Sequence, residues 1–198
     1  MSVQPKTYIT PETYLELERQ VDYKSEYLNG EIYAMGGASP RHVLIVTNVV
    51  AELRNQLKNR PCTVYSTDLR LRVSPQGLYT YPDVVVVCST PQFSDPHRDT
   101  LTNPTVIVEV LSQSTKDYDR GEKFEQYRAL VSLQEYVLIA QDKPHVEHFV
   151  RQPDGAWLLS ETHRLEDAVE LVAIGCHLKL AEVYDKIDLL NMGETLIP

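Results

Sequence analysis

Two stretches of the chain are apolar almost without interruption, residues 83–88 (DVVVVC) and 105–111 (TVIVEVL). Runs of β-branched residues of this length suit strands covered on both faces. Elsewhere the apolar positions are periodic. Between residues 40 and 58, Val43, Val46, Val50, Leu53 and Leu57 recur at intervals of three and four, as one buried helical face requires. A second helical rhythm, with Phe124, Tyr127 and Leu130 on one side, runs over 117–130. Leu69-Arg70-Leu71-Arg72-Val73 alternates instead, which predicts a strand with Arg70 and Arg72 on a wet face.

Turn and cap residues divide these runs. Thr10 as N-cap and Pro11 at the first helical position open a helix with Tyr14, Leu15 and Leu17 on its apolar side. Asn29-Gly30 supplies the positive φ angles of a type I′ turn, so residues 23–35 read as a hairpin ended by Gly36-Gly37. Ser39-Pro40 starts the long helix and Pro61 breaks the chain after it. Residues 135–140 and 145–150 form a hairpin around Asp142-Lys143-Pro144, a strand over 156–160 follows Pro153-Asp154-Gly155, and a helix lies near 181–186. The expected fold is α/β (α+β): a mixed central β-sheet flanked by helices, with an N-terminal helix and β-hairpin, in a single domain over residues 1–198.

Composition narrows the class. A chain of 198 residues, 42% hydrophobic and 24% charged, can bury a sizeable globular core. No apolar run approaches the ~20 residues of a membrane-spanning helix, and MSVQPKTYIT has no basic region followed by an apolar stretch, so no secretory signal is expected. Cys62, Cys88 and Cys176 are far apart and odd in number; they fit neither a disulfide framework nor a zinc cluster, and a reducing, cytoplasmic setting is expected. The net charge of −9 argues against a broad phosphate-binding surface, though not against a local groove. Arg70 and Arg72, and Arg54, Lys58 and Arg60, are the best local basic groups and read as solvated surface.

Glu109 stands in the middle of an apolar strand, where a lone carboxylate is costly unless a metal, a Lys or Arg, or a proton pairs it. Asp83 follows Pro82 at the head of the other buried strand. Either residue alone reads as structural. Carried on neighbouring strands, the two would repel, and a divalent cation resolves the repulsion. Asp119, Lys123 and Tyr127, four residues apart, share one helix face, and an exposed Asp119–Lys123 ion pair is the plain reading. The histidines show no metal spacing; His145 and His148, three apart on a strand, face opposite ways.

At Tyr81-Pro82-Asp83-Val84-Val85-Val86-Val87, Val108-Glu109-Val110-Leu111-Ser112-Gln113-Ser114-Thr115 and Asp119-Arg120-Gly121-Glu122-Lys123-Phe124-Glu125-Gln126-Tyr127, the chain resembles the Uma-type restriction endonuclease family. That family is a domain of unknown function common in cyanobacteria and belongs to the PD-(D/E)XK nuclease superfamily. The resemblance covers nearly the whole chain. It implies a restriction-endonuclease-like fold, with Asp83, Glu109 and the Val110 carbonyl as ligands of Mg²⁺ or Mn²⁺. It also implies that the lysine usually found two residues after the glutamate, where this chain has Leu111, has migrated to Lys123. Tyr127 matches the family's helix tyrosine, Glu26 resembles an upstream acidic residue that completes the metal site, and His42 matches a recurrent histidine of unassigned role.

The expected activity is therefore that of a metal-dependent DNA endonuclease, homodimeric and not membrane-bound. Two alternatives stand beside it. One is a catalytically silent nuclease fold that binds nucleic acid or a protein partner. The other is a hydrolase using Asp83 and Glu109 as an acid–base pair without metal.

Overall fold

The computed structural model describes residues 8–189. In chain order it runs through helix Pro11–Glu18 (α1), a hairpin of Ser25–Leu28 (β1) and Glu31–Ala34 (β2), and the long helix Pro40–Gln56 (α2). Strands Thr63–Ser66 (β3), Arg70–Arg72 (β4), Tyr79–Thr80 (β5), Val84–Val87 (β6), Thr100–Leu101 (β7) and Val106–Leu111 (β8) follow. A composite helix comes next: Lys116–Tyr118 (α3), a π-helical turn Asp119–Lys123, and Phe124–Tyr127 (α4). Strands Glu135–Ala140 (β9), Val146–Arg151 (β10), Trp157–Thr162 (β11), Ala168–Leu171 (β12) and Cys176–Lys179 (β13) lead to a short helix, Leu180–Val183 (α5).

The two apolar runs form the middle of a six-stranded mixed sheet of order β11-β10-β9-β8-β6-β3. All residues of β6, β8 and β9 are buried, which is why none of these strands alternates between apolar and polar positions. Alternation survives in what each face meets. Val84, Val86, Val106, Val108 and Val110 pack with Ile45, Val46, Val49 and Leu53 of α2 and with the β12–β13 hairpin. Val85, Val87, Ile107 and Leu111 pack on the other side with Phe124, Tyr127 and Leu133. Glu109 therefore points to the α4 side, two residues from both Ile107 and Leu111.

A second, five-stranded sheet of order β2-β1-β5-β4-β7 carries the N-terminal hairpin. Its own core is aromatic. Tyr14 of α1 stacks on Tyr27 at 5.2 Å between ring centroids and meets Tyr79 edge-on at 5.7 Å. The positive φ angles of Asn29 (48°) and Gly30 (95°) make the tight hairpin turn expected of that dipeptide.

The structure departs from the sequence reading at several points. The buried stripe of α2 is Ile45, Val46, Val49, Leu53 and Leu57, while Val43 is 53% exposed; the period was legible but its phase is rotated. The helix expected over 117–130 starts at Lys116, passes through the π turn and ends at Tyr127. Residues 168–179 form a hairpin that was not expected. Arg70 is 5% exposed rather than solvated. Its Nε donates to Tyr81 Oη at 2.9 Å, its Nη1 donates to Thr100 Oγ1 at 3.2 Å, and its guanidinium lies over the Tyr14 and Tyr81 rings. Tyr81 Oη in turn donates to Glu18 Oε1 at 2.9 Å, so the buried charges of Arg70 and Glu18 are linked through a phenol. Arg60 is likewise engaged, donating to the carbonyls of Ile174 and Gly175 at the β12–β13 turn.

The cysteines, contrary to what their spacing predicts, include a bonded pair. β3 and β6 are antiparallel with Thr63 opposite Val87, so the next pair outward is Cys62 and Cys88, and these form a disulfide. Sheet register, not sequence spacing, brings them together. Cys176 is free and buried. No helix of the described residues is long and apolar enough to cross a membrane.

Closing a loop across a sequence separation of 26 residues constrains the unfolded chain by about 3.5 kcal/mol on the chain-entropy account. The double substitution Cys62→Ser with Cys88→Ser should lower the unfolding free energy by roughly that amount. Urea titration of both proteins under non-reducing conditions measures it, and equal midpoints would show that the crosslink contributes nothing.

Candidate functional site

The register that buries the valines also opposes two carboxylates. Val84 faces Val108 across the β6–β8 pair, so Asp83, one residue before β6, stands opposite Glu109. The Asp83 N–H donates to Glu109 Oε2 at 3.3 Å, and Asp83 Oδ2 accepts the Val110 N–H at 2.8 Å. His42 closes the other side, with Nε2 2.9 Å from Asp83 Oδ1. That histidine sits in the first turn of α2, whose cap Ser39 accepts the His42 N–H at 3.1 Å.

Glu109 is 4% exposed. Its Oε1 accepts from Tyr127 Oη at 2.8 Å and lies 3.0 Å from Lys123 Nζ. The ammonium is also 3.2 Å from Glu26 Oε1 and 3.4 Å from Asp119 Oδ1. Thr80 Oγ1 holds Glu26 from the neighbouring strand β5. The π turn sets this geometry: Asp119 opens it and Lys123 ends it, both buried. Such turns often reshape a helix where a side chain must be aimed. Leu111, on the same strand face as Glu109, is taken up by the core, and the ammonium arrives from the helix instead.

The charges do not balance. Glu26, Asp83, Glu109 and Asp119 converge on one ammonium and one imidazole. Burial, reinforced by the charges of Asp83 and Asp119, pushes the Glu109 carboxyl up to about 8 despite the opposing pull of Lys123. Asp119 is also raised by burial, with Lys123 again opposing. Burial works against the Lys123 ammonium, yet Glu109, Glu26 and Asp119 together hold its pKa well above the usual lysine range. Tyr127 is driven well upward by burial and by Glu109, so its phenol stays a donor. A set of carboxylate oxygens short of positive charge fits a hard divalent cation such as Mg²⁺ or Mn²⁺. These groups line a cleft of ≈ 990 Å³ between the N-terminal hairpin, the Gly36-Gly37 loop and α2, with Tyr118 and Ser114 on the opposite wall.

All six residues singled out in the sequence thus meet: Asp83, Glu109, Lys123, Glu26, Tyr127 and His42. Val110 enters through its N–H, which holds Asp83. Asp119 belongs to the same cluster. Its four-residue spacing from Lys123 was visible, but it is 4% exposed and part of the cluster rather than of a surface ion pair. The Tyr118 ring also lies 5.9 Å from Lys123 Nζ, and no motif or spacing marks it in the sequence.

A mixed sheet carrying Asp, Glu and a buried Lys at one cleft has the form of a restriction-endonuclease-like nuclease fold. Residues 11–181 match the model of the Uma2 family, described as "Putative restriction endonuclease", and the chain belongs to that family. It is 38% identical over 161 residues to uncharacterized protein sll1609 of Synechocystis sp., covering 81% of this chain and 91% of that protein. It is 35% identical over 185 residues to uncharacterized protein slr1290 of the same organism, covering 91% and 93%. A crystal structure described as "a putative nuclease belonging to DUF820" from Anabaena variabilis superposes with a TM-score of 0.72 at 19% identity, over 89% of this chain and 97% of that one. At that identity the likeness establishes the fold.

The raised pKa of Glu109 has a thermodynamic sign. Between its ordinary value of 4.5 and about 8 the folded chain binds a proton that the unfolded chain has released, so this group's contribution falls as pH rises through that window. In EDTA, Glu109→Gln should therefore change the melting temperature little at the low end of the window and raise it relative to wild type at the high end. Thermal melts across the window check this, and a mutational effect independent of pH would contradict it.

Proposed function

We propose that the protein is a Mg²⁺- or Mn²⁺-dependent DNA endonuclease that hydrolyses phosphodiester bonds, formed as one nuclease-like domain. Asp83, Glu109 and the Val110 carbonyl hold the metal, and Lys123 stabilises the charge that develops on the phosphate. The observation that carries this reading is the cross-strand opposition of Asp83 and Glu109, with Lys123 Nζ 3.0 Å from Glu109 at the floor of a cleft. The description of the family as restriction endonucleases supports it.

When bound, the cation supplies polarisation of a phosphoryl oxygen and a more acidic water. The chain's own residues do the rest. Tyr127 donates to Glu109 and fixes that carboxylate's orientation. Glu26 and Asp119 aim the Lys123 ammonium and keep it charged, and in this proposal Glu26 also completes the metal site. His42 holds Asp83 from the α2 side. Cleavage of both strands of a duplex calls for two such sites, so a homodimer with closed two-fold symmetry is part of the proposal.

Purified protein should nick or cut supercoiled plasmid in Mg²⁺ or Mn²⁺ and be silent in EDTA. Asp83→Ala and Glu109→Ala should each abolish cleavage, and Lys123→Ala should slow it by about 10²–10³. Undiminished cleavage by Asp83→Ala would overturn the assignment.

A second reading, a nuclease fold that binds a partner without cutting, is favoured by two observations. The chain carries a net charge of −9, and Lys123 is already engaged by three carboxylates. Calorimetric titration separates the two: no heat with Mg²⁺ or Mn²⁺ at millimolar concentration selects the second.

A further inference from the structure

The six-stranded sheet brings a second set of donor side chains together, away from the carboxylate cleft. In the β10–β11 pair Val146 stands opposite Thr162 and Glu147 opposite Glu161. One step beyond, His145 stands opposite His163, and Glu161, two residues before His163, shares its face. The rows across the sheet connect Glu109 to Leu138, Leu138 to Glu147 and Glu147 to Glu161. The second cluster therefore lies on the same face as Glu109 but three strands away, about 14 Å at the usual strand spacing.

His145, Glu161 and His163 each offer one ligand atom, and the three atoms lie within 4.8 Å of one another. His145 Nε2 is 3.0 Å from Glu161 Oε1, and the two imidazoles stack with centroids 4.5 Å apart. The three members differ in freedom. His145 is 9% exposed. Its backbone N–H donates to Tyr184 Oη at 3.1 Å, and that hydroxyl is itself tied to the Ala140 carbonyl at 2.8 Å. Glu161 and His163 are exposed, at and just beyond the end of edge strand β11. One donor is thus fixed, and two can rotate to close on an ion.

We propose that His145, Glu161 and His163 form a binding site for a divalent transition metal, with Zn²⁺ the best match, distinct from the carboxylate site. The donor chemistry separates the two sites. Two imidazoles and one carboxylate suit Zn²⁺, whereas the carboxylates around Lys123 suit Mg²⁺ or Mn²⁺. Bonds of about 2.0–2.1 Å in a tetrahedral shell place ligand atoms roughly 3.4 Å apart. The 3.0 Å contact between His145 and Glu161 already approaches that spacing, and rotation of exposed His163 supplies the remainder. Three protein donors leave a fourth position toward solvent. An ion there would fasten β11, the outermost strand on this side, to β10.

The test is zinc binding by the full chain, first stripped with chelator and dialysed, read by competition with a chromophoric chelator and by the visible bands of Co²⁺ as a stand-in. Wild type should take up a single equivalent of Zn²⁺ that excess Mg²⁺ does not displace. His163→Ala and Glu161→Gln, both at exposed positions that leave the core intact, should each weaken it more than ~10-fold and erase the tetrahedral Co²⁺ bands. The double substitution Asp83→Asn with Glu109→Gln should retain the equivalent. The proposal is overturned if wild type binds no Zn²⁺, if His163→Ala binds as tightly as wild type, or if binding is lost in the carboxylate-site variant instead.

Discussion

A carboxylate buried in the middle of a two-faced sheet must be answered by positive charge, and the site is arranged around that need. Glu109 lies in β8, between Val108 and Val110, and is 4% exposed. Left alone it would be protonated or would destabilise the strand. Lys123 answers part of the need, and its own burial is tolerable only because Glu26 and Asp119 share it. Each added charge demands another partner, so the cluster recruits from β1, β8, the π turn and the head of β6. Elements far apart in sequence are held to one cleft by the same electrostatic requirement.

The second sheet has a clear part in this. Glu26 reaches Lys123 because β1 pairs with β5 and Thr80 fixes the carboxylate. The aromatic cluster of Tyr14, Tyr27 and Tyr79 anchors that hairpin, and the Arg70–Tyr81–Glu18 chain ties α1 beneath it. The N-terminal helix and hairpin thus act as the wall that delivers Glu26, while the six-stranded sheet supplies Asp83 and Glu109 and the composite helix supplies Asp119 and the lysine.

Much of the site was legible because its residues violate a local rule. An acidic residue inside TVIVEVL and one at the head of DVVVVC mark themselves by breaking apolar runs. Lys123 and Tyr127 could be read only through resemblance, since a lysine four residues after an aspartate on a helix is ordinary. The same holds for Asp119, whose spacing is visible in the sequence and whose burial is not. The disulfide, the burial of Arg70 and the phase of α2 depend on which strands become neighbours, and no window of local sequence contains that. The β12–β13 hairpin is a different case. Val169 and Leu171, then Cys176 and Leu178, alternate cleanly around Gly175, so its pattern was present in the sequence.

The Cys62–Cys88 crosslink takes on another meaning beside Asp83. The short strand β6 begins one residue after Asp83 and ends one residue before Cys88. A strand of four valines has no side chain to tell one alignment from the next-but-one, and a slip by a single position would swing the Asp83 carboxylate from the cleft into the α2 core. The disulfide works as an index pin. It fixes β6 lengthwise against β3, the neighbour on the side away from Glu109, and so holds the head of β6, with Asp83, in one alignment to that strand.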